Sequence, residues 1–455
     1  MKIETAIADI EAKPVDQVGK NGTLTDNFNE PDVPASQPIP RLYRVIWRWH
    51  FYAGLIVLPV LLTAAITGGL YVFVKEIEPW IYPYRTVMPQ MQVVTYQQQL
   101  EAAKAVVPQG FEAHGLTLSD DAQRATIITF HQQPERYLYV FVNQHTGEVQ
   151  GQTEYGDSFF DIVLKIHRTL FAGSTGRYIV ELATSWGIIL VVTGIYLWWP
   201  RGRRKIIGVW LPRLRGKSYA VWRDWHTVPG FYFSILAFLV MFTGLFFTQF
   251  FGRVYDIAAY LTNAYPQSYL RPPKSSVREG AKPLSLDKVI AIARREQSEP
   301  QLFVDLPHTA EDSFSVYCGT TDKLSTYSNL HIEQYSGTIL DHVTFKDLSP
   351  MAKTRLLAYP IHVGSIYGMP TKILAFLVCL LIVAMSVTGV VMWWKRKPRG
   401  KTGFPQKTEA FKPAKWLLVT IALLGMLMPA AGISILVILL GDWLLQKKRA
   451  AQAES

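Results

Sequence analysis

Cysteine is nearly absent from this chain: its 455 residues include two, Cys318 and Cys379. Two thiolates do not complete the ligand set of an iron–sulfur cluster. No Cys-x-x-Cys-His occurs, which excludes covalent c-type haem attachment. No side chains read as an acid–base dyad. Residues 1–40 lack an apolar core; polar, proline-containing and mildly acidic, they are expected to form a disordered cytoplasmic tail without a signal peptide.

Apolar sequence is what the chain has in quantity, at 49% hydrophobic and 13% aromatic residues. A helix needs about 20 apolar residues to cross a bilayer, and four segments meet that length: Phe51 to Val74, Tyr178 to Trp199, Phe231 to Phe251 and Ile373 to Trp394. A fifth region, Trp416 to Leu445, has Met-Pro-Ala-Ala-Gly at its middle and Lys412, Lys415, Lys447 and Lys448 at its ends. It reads as a hairpin of two short helices or one kinked span. The net charge of +11 is concentrated between spans. Arg41, Arg44 and Arg48 precede the first span; Arg201, Arg203, Arg204, Lys205, Arg213, Arg215 and Lys217 follow the second; Lys395, Arg396, Lys397, Arg399 and Lys401 follow the fourth. These loops are expected on the cytoplasmic side, so the basic balance is a topology signal and calls for no nucleic acid. Trp198-Trp199 and Trp393-Trp394 sit where interfacial tryptophan is expected. On this topology Cys318 lies outside and Cys379 within a span, so they are not expected to pair.

The expected order is therefore a tail (1–40), a first span (41–75), an exterior segment (76–160), a second span with a preceding histidine-bearing helix (161–200) and a basic loop (201–222). A third span (223–251), a second exterior segment (252–355), a fourth span with its histidine-bearing segment (356–395), a basic loop (396–413), the hairpin (414–446) and a short tail (447–455) follow.

The chain repeats itself. Trp49-His50 with Gly54 matches Trp225-His226 with Gly230, and Thr67-Gly68 and Thr243-Gly244 each follow their histidine at an offset of 17. His167 and His362 are each followed by a Thr-Gly pair at an offset of 26, Thr193-Gly194 and Thr388-Gly389, and by the tryptophan pair at 31. In the exterior segments VNQHTGEV (142–149) echoes IEQYSGTI (332–339), a strand–turn–strand with glycine at the turn. Both repeats begin on the same side, so the duplication is parallel, which weakens a transporter reading. The largely apolar midplane, with Pro59 its one breaker, weakens that reading too.

Of ten histidines only His50, His167, His226 and His362 repeat as a set. His114, His131, His145, His308, His331 and His342 lie in the exterior segments. A step of 17 residues covers about 25 Å of helix, so the Thr-Gly pair of each odd span reaches the depth of the exterior histidines. Those of the even spans reach the depth of His50 and His226. Each membrane face then holds two histidines and two Thr-Gly notches. Facing imidazoles supply both axial ligands of a haem iron, and Gly68, Gly194, Gly244 and Gly389 leave room beside a flat macrocycle. Zinc is a poorer match, since two ligands per layer do not make a tetrahedral site. An interfacial histidine and a packing glycine are the plain alternatives; against them, the flanks have drifted while these positions persist. Breaks at Ala172–Gly176 and Gly368–Pro370 place His167 and His362 on short elements over the exterior mouth. Arg168, Arg48 and Arg223 are candidate partners for haem propionates. The aromatic stretch Trp80 to Arg85 is a candidate substrate wall or an interfacial belt.

These motifs, H-x25-TG-x3-WW in the even spans, W-H-x3-G in the odd ones and the VNQHTGEV-type segments, resemble the PepSY-associated transmembrane family over about residues 41–445. The resemblance implies an α-helical membrane protein with four core spans, a C-terminal hairpin and two periplasmic α+β PepSY-like domains. It further implies a bacterial inner-membrane protein, N-terminus cytoplasmic, holding two haem b groups on His50, His226, His167 and His362. Such a protein would pass electrons to a ferric siderophore in the periplasm. Only a short polar segment follows the last apolar run, so a separate electron donor is expected. The rival expectations are a membrane-anchored module that binds periplasmic peptidases or other ligands, and a siderophore transport component.

Overall fold

The computed structural model describes residues 40–453 apart from 120, 201–205, 278–279, 298, 300, 319–325, 399, 401, 406–418, 420–421 and 424. Residues 1–39 of the expected tail (1–40), Arg201, Arg203, Arg204, Lys205, Arg399, Lys401 and most of the first arm of the expected hairpin, with Lys412 and Lys415, lie outside the described residues.

In chain order the first half runs α1 (Arg41–Tyr71), α2 (Val74–Ile81), α3 (Tyr96–Lys104), β1 (Glu112–Leu118), β2 (Thr126–Gln132), β3 (Arg136–Val142), β4 (Val149–Glu154), α4 (Phe159–Thr169) and α5 (Gly173–Trp198). The second runs α6 (Ser218–Tyr232), α7 (Ser234–Leu245), α8 (Phe251–Leu261), α9 (Gln267–Leu270), α10 (Leu286–Glu296), β5 (Leu302–Asp305), β6 (Phe314–Cys318), β7 (Ser328–Ile332), β8 (Ile339–Thr344), α11 (Pro350–His362) and α12 (Met369–Arg396). Beyond it comes α13 (Pro429–Ala453).

Three helices, α1, α5 and α12, are long and apolar enough to cross a membrane. They carry outward-facing apolar side chains such as Ile56 (75% exposed), Val192 and Leu380, the surface a bilayer accepts and water does not. The third expected span is not straight: α6 and α7 form a pair bent by 66°. Pro229 takes one bond out of the helical ladder, and four residues on, at Phe233, the chain leaves helical geometry (φ −96°, ψ 3°). The hydroxyl of Ser234, which opens α7, donates to the Phe231 carbonyl at 2.7 Å. Pro59, the breaker noted in the sequence, lies inside an unbroken α1.

The tryptophan pairs hold the loops that follow them. Trp198 Nε1 donates to the Val209 carbonyl and Trp393 Nε1 to that of Thr402, at 3.0 and 3.1 Å, while Trp199 and Trp394 stay exposed. Near the C-terminus, a Cβ placed on Gly432 would lie 2.6 Å from the Cα of Gly425. Seven residues of straight helix would separate them by about 10 Å, so the chain doubles back through Met428 and Pro429. Behind the turn, Trp186 Nε1 donates to Ser434 Oγ at 3.0 Å and docks α13 on α5.

The exterior segments were expected as two domains; the structure joins them in one eight-stranded antiparallel sheet, order β4-β3-β2-β1-β5-β6-β7-β8. At the centre β1 pairs with β5, Leu116 opposite Val304. One apolar row crosses the seam: Val140, Ile128, Leu116, Val304, Val316 and Leu330, each at most 2% exposed. Apart, each four-stranded half would leave β1 or β5 as an open edge with that row broken, and pairing closes both edges at once. Helices α3 and α10 cover the row through Leu100, Ala103, Val289, Ile290 and Ala293. The Asp287 carboxylate of α10 accepts the Tyr96 and Gln97 amides at the start of α3, where the helix dipole favours an anion. Both strand–turn–strand segments form as the spacing predicts, with Gly147 at φ +80° and Gly337 at φ +77°. Cys318 lies in the sheet core and Cys379 on α12, both as free thiols.

Two expectations test the sheet. A Cβ on Gly115 would lie 2.6 Å from the Val304 carbonyl oxygen. Gly115→Val should therefore force the seam apart and cost about 1–3 kcal/mol, read as a lower midpoint of thermal unfolding. His331 on β7 is 3% exposed, and among the described residues neither ring nitrogen has a hydrogen-bond partner. Burial holds its pKa below the ordinary value, with Asp341 acting in the opposite sense. The unfolded chain then takes up this proton at higher pH than the folded one. The contribution is fully present above about pH 6.5 and is lost as pH falls toward the folded value. Stability measured from pH 7 to 5 should decline, and His331→Leu should flatten that decline.

Candidate functional site

The four repeated histidines stand on different elements. His50 is on α1 and His226 on α6; His167 is near the end of α4 and His362 is the last residue of α11. The two short helices start from serines: Ser158 accepts the Asp161 amide and Ser349 the Ala352 amide. Each then reverses sharply into its span. After α4, Leu170 and Phe171 adopt left-handed conformations, and a Cβ on Gly176 would collide with the Thr169 carbonyl at 1.6 Å. After α11, Gly364 (φ +72°) faces the Thr371 carbonyl, so a Cβ there would lie 2.5 Å from that oxygen. Glycine is the residue that lets these corners close.

Every one of the four rings seats on the Thr-Gly region of a neighbouring helix. His50 Nδ1 is 2.8 Å from Thr193 Oγ1 on α5, and His226 Nδ1 is 2.9 Å from Thr388 Oγ1 on α12. His167 Nδ1 lies 3.0 Å from the Ala64 carbonyl and 3.2 Å from Thr67 Oγ1 on α1; His362 Nδ1 lies 2.8 Å from the Val240 carbonyl on α7. A Cβ built on Gly68, Gly194, Gly244 or Gly389 would point at Cε1 of the seated ring, at 3.0, 3.4, 2.8 and 3.8 Å. The sequence suggested that these glycines clear space for a flat cofactor. In the structure their open face admits the edge of an imidazole.

This seating settles the tautomer. The Thr67, Thr193 and Thr388 hydroxyls each donate their hydrogen to a carbonyl four residues back in their own helix, at 2.7 Å. Their oxygens are left to accept, and the carbonyls of Ala64 and Val240 accept by nature. All four rings therefore carry the proton on Nδ1 and keep a lone pair on Nε2, the arrangement of metal-ligating histidine. Among the described residues no hydrogen bond reaches any of these four Nε2 atoms.

The outer two rings face one another, His167 and His362, with centroids 6.1 Å apart and planes at 52°. Two imidazoles bound at about 2 Å on opposite sides of one metal ion hold their centroids about 6 Å apart. The centroid spacing of His167 and His362 matches that separation. His50 and His226, on the other layer, are within electrostatic reach of each other. Among the described residues no group of three or more His, Cys, Asp or Glu side chains has metal-binding geometry, so these histidines come in pairs.

The candidate arginines separate. Arg168 lines a cavity of about 480 Å³ with Arg177, Arg253 and Arg355. Arg223 is occupied by the fully buried Asp224, which also draws Arg213. Arg48 is half-buried on α1, two residues before His50. In the aromatic stretch, Arg85 pairs with Glu78 and lies over Tyr82 and Phe141 at 4.4 and 4.6 Å, so it packs beneath the sheet; Trp80 stands 86% exposed.

Four of the six histidines of the expected exterior segments hydrogen-bond elsewhere. His114 Nδ1 lies 3.1 Å from His308 Nε2 on the sheet seam, beside Asp305. Burial raises the Asp305 pKa, and the two histidines partly offset it. His145 bonds the Gln92 carbonyl and His342 bonds Ser328 Oγ. Sequence reasoning passed over Glu181, 1% exposed within α5, which accepts the Phe250 and Phe251 amides at 2.7 and 2.8 Å. It also passed over Lys372, whose Nζ is 2.6 Å from Glu76. The signal was present, since an ionisable residue inside an apolar run marks a site by default.

An eight-stranded antiparallel sheet joined to apolar helices that bear repeated, seated histidines marks a membrane-type protein. The chain matches the family described as the PepSY-associated TM region over residues 47–396, and it belongs to that family. No curated protein matches the chain.

Thr193→Val should leave the His50 Nδ1–H without its nearest acceptor and cost about 1–3 kcal/mol in thermal unfolding of the detergent-solubilised protein. Thr184→Val, on the same helix, should change little, because that hydroxyl bonds only the Val180 carbonyl of its own turn.

Proposed function

We propose that this protein is an inner-membrane di-haem b oxidoreductase that carries electrons from the cytoplasmic side to a ferric chelate of siderophore type in the periplasm. The observation that carries this reading is the common state of the four histidines: each Nδ1–H is fixed on a neighbouring helix, and among the described residues each Nε2 has no hydrogen-bond partner. On this reading the bent pair α6–α7 counts as one span, giving four core spans from a parallel duplication. The N-terminus is cytoplasmic and the sheet faces the periplasm, in keeping with the basic residues at α1 and after α5 and α12.

His50 with His226, and His167 with His362, would hold the two haems, each of which supplies a one-electron redox couple when bound. The chain's part is to fix and dry the ligands. The helices hold each ring by its Nδ1 edge, so little reorganisation accompanies a change of charge. Apolar neighbours such as Phe247, 5.9 Å from the His362 ring, keep water from the outer pair. The substrate side is plain chemistry: reduction of Fe(III) to Fe(II) weakens hard oxygen ligation and frees the metal. The donor would be a cytoplasmic or membrane-borne reductant. A second reading, a membrane-anchored binding module, accounts for the complete exterior sheet but assigns no purpose to the seated histidines.

The test is the visible spectrum of the purified protein, oxidised and dithionite-reduced, with a haem count. Two b-type haems per chain are expected, and His50→Ala and His167→Ala should each remove one. Gly244→Val, whose side chain would push on His362, should also remove one, whereas Gly54→Ala, which meets only Leu190 at 3.9 Å, should keep both. A pigment-free protein with full reductase activity would sink the proposal.

A further inference from the structure

The cavity of about 480 Å³ beside the outer histidine pair has an unusual wall. Arg168 comes from α4, Arg177 from α5, Arg253 from α8 and Arg355 from α11, so four elements each contribute one guanidinium. One acid lines the same space, Asp256, 3.3 Å from Arg355. The nearby Glu181 is spent on the amides at the start of α8. Arg177 reaches Gln249 Oε1 and the Phe247 carbonyl, both neutral acceptors, at 3.3 Å. Three positive charges are therefore left over in one concave site. Like charges gathered from four elements repel unless an anion joins them, and guanidinium forks pair two at a time with the oxygens of carboxylates and phosphates.

The place and size of the site say which anion. Phe247 is a shared neighbour: Arg355 lies over its ring at 5.3 Å, and the His362 ring lies 5.9 Å from it. The volume is that of a site for a whole small molecule, much more than the propionate arms of a haem would fill. The site also extends along α8 from Arg253 to Tyr260. Glu181 pins the start of that helix, so the wall is preformed.

We propose that this arginine cavity binds the electron acceptor, and that the acceptor is a ferric chelate bearing free carboxylates, of the polycarboxylate class, rather than a neutral or cationic hydroxamate complex. The assignment rests on the electron-transfer reading for its purpose, but binding by itself requires no haem.

The experiment titrates the full-length detergent-solubilised protein with gallium(III) citrate, a redox-inert stand-in, by calorimetry. Gallium held by a linear trihydroxamate, which has no free carboxylate, is the competitor. Gallium citrate should bind with an affinity that falls as salt rises. Arg253→Gln and Arg355→Gln should each weaken it about tenfold, the usual worth of one charge-assisted hydrogen bond. Asp256→Asn should tighten it, a gain that damage to the fold would not produce. The trihydroxamate complex should not compete. Unchanged affinity in both arginine variants, or equal binding of the trihydroxamate complex, would overturn the proposal. It also fails if the variants lose haem while gallium citrate binding stays intact, because the arginines would then serve propionates. Gallium citrate binding by a chain without haem would keep the anion site and reject the oxidoreductase reading.

Discussion

Everything at the centre of this protein depends on one contact, the edge of an imidazole pressed into a helix where a glycine has no Cβ. A histidine in a low-dielectric layer needs a partner for its N–H, because an unpaired polar group there is costly. Membrane helices have already used their backbone groups internally. The Thr-Gly pair solves both difficulties. The threonine hydroxyl bonds back to its own turn and offers its oxygen outward, and the carbonyl three residues before it adds a second acceptor. The glycine lets the ring come close enough to use them.

Because each histidine belongs to one helix and its notch to another, the contact also assembles the bundle. His50 ties α1 to α5, and His167 ties α4 back to α1. His226 ties α6 to α12, and His362 ties α11 to α7. The first half of the chain is thus laced to itself through its histidines, as is the second. The halves meet through α1 against α12, where Gly69 lets Cys379 and Phe376 approach, and through β1 against β5 in the sheet. The sheet seam and the outer histidine pair are both places where the halves touch, so a ligand held by His167 and His362 would bridge them. Charged residues lie at structural corners: Asp224 within α6, Glu181 at the start of α8, Lys372 with Glu76 between α12 and α2. Four arginines gather at the remaining corner, by the outer pair.

Much of this was legible in the residues. Apolar length marked α1, α5 and α12, since crossing a bilayer imposes a residue count. The offsets of 17 and 26 joined each histidine to a depth, because an α-helix rises by a constant amount per residue. Both turn glycines, Gly147 and Gly337, were visible, as a left-handed turn position admits few other residues. The bend of α6–α7 was missed because the expected span (223–251) was set by apolar length from Phe231, which takes no account of Pro229, the residue that weakens the ladder. The single sheet was missed because edge pairing between segments some 190 residues apart leaves no local pattern. The arginine cavity was missed for the same reason, its four members being scattered from Arg168 to Arg355.

The sequence alone determined which stretches are apolar, where helices and turns break, and which histidines recur at which depth; all three follow from spacing along one strand of chain. Only the tertiary structure decided what each histidine touches. It turned Nδ1 of all four repeated histidines toward a hydroxyl or carbonyl on another helix and brought four distant guanidiniums to one wall. Those outcomes depend on how helices rotate and approach one another, and that is governed by packing between segments, which no local spacing encodes.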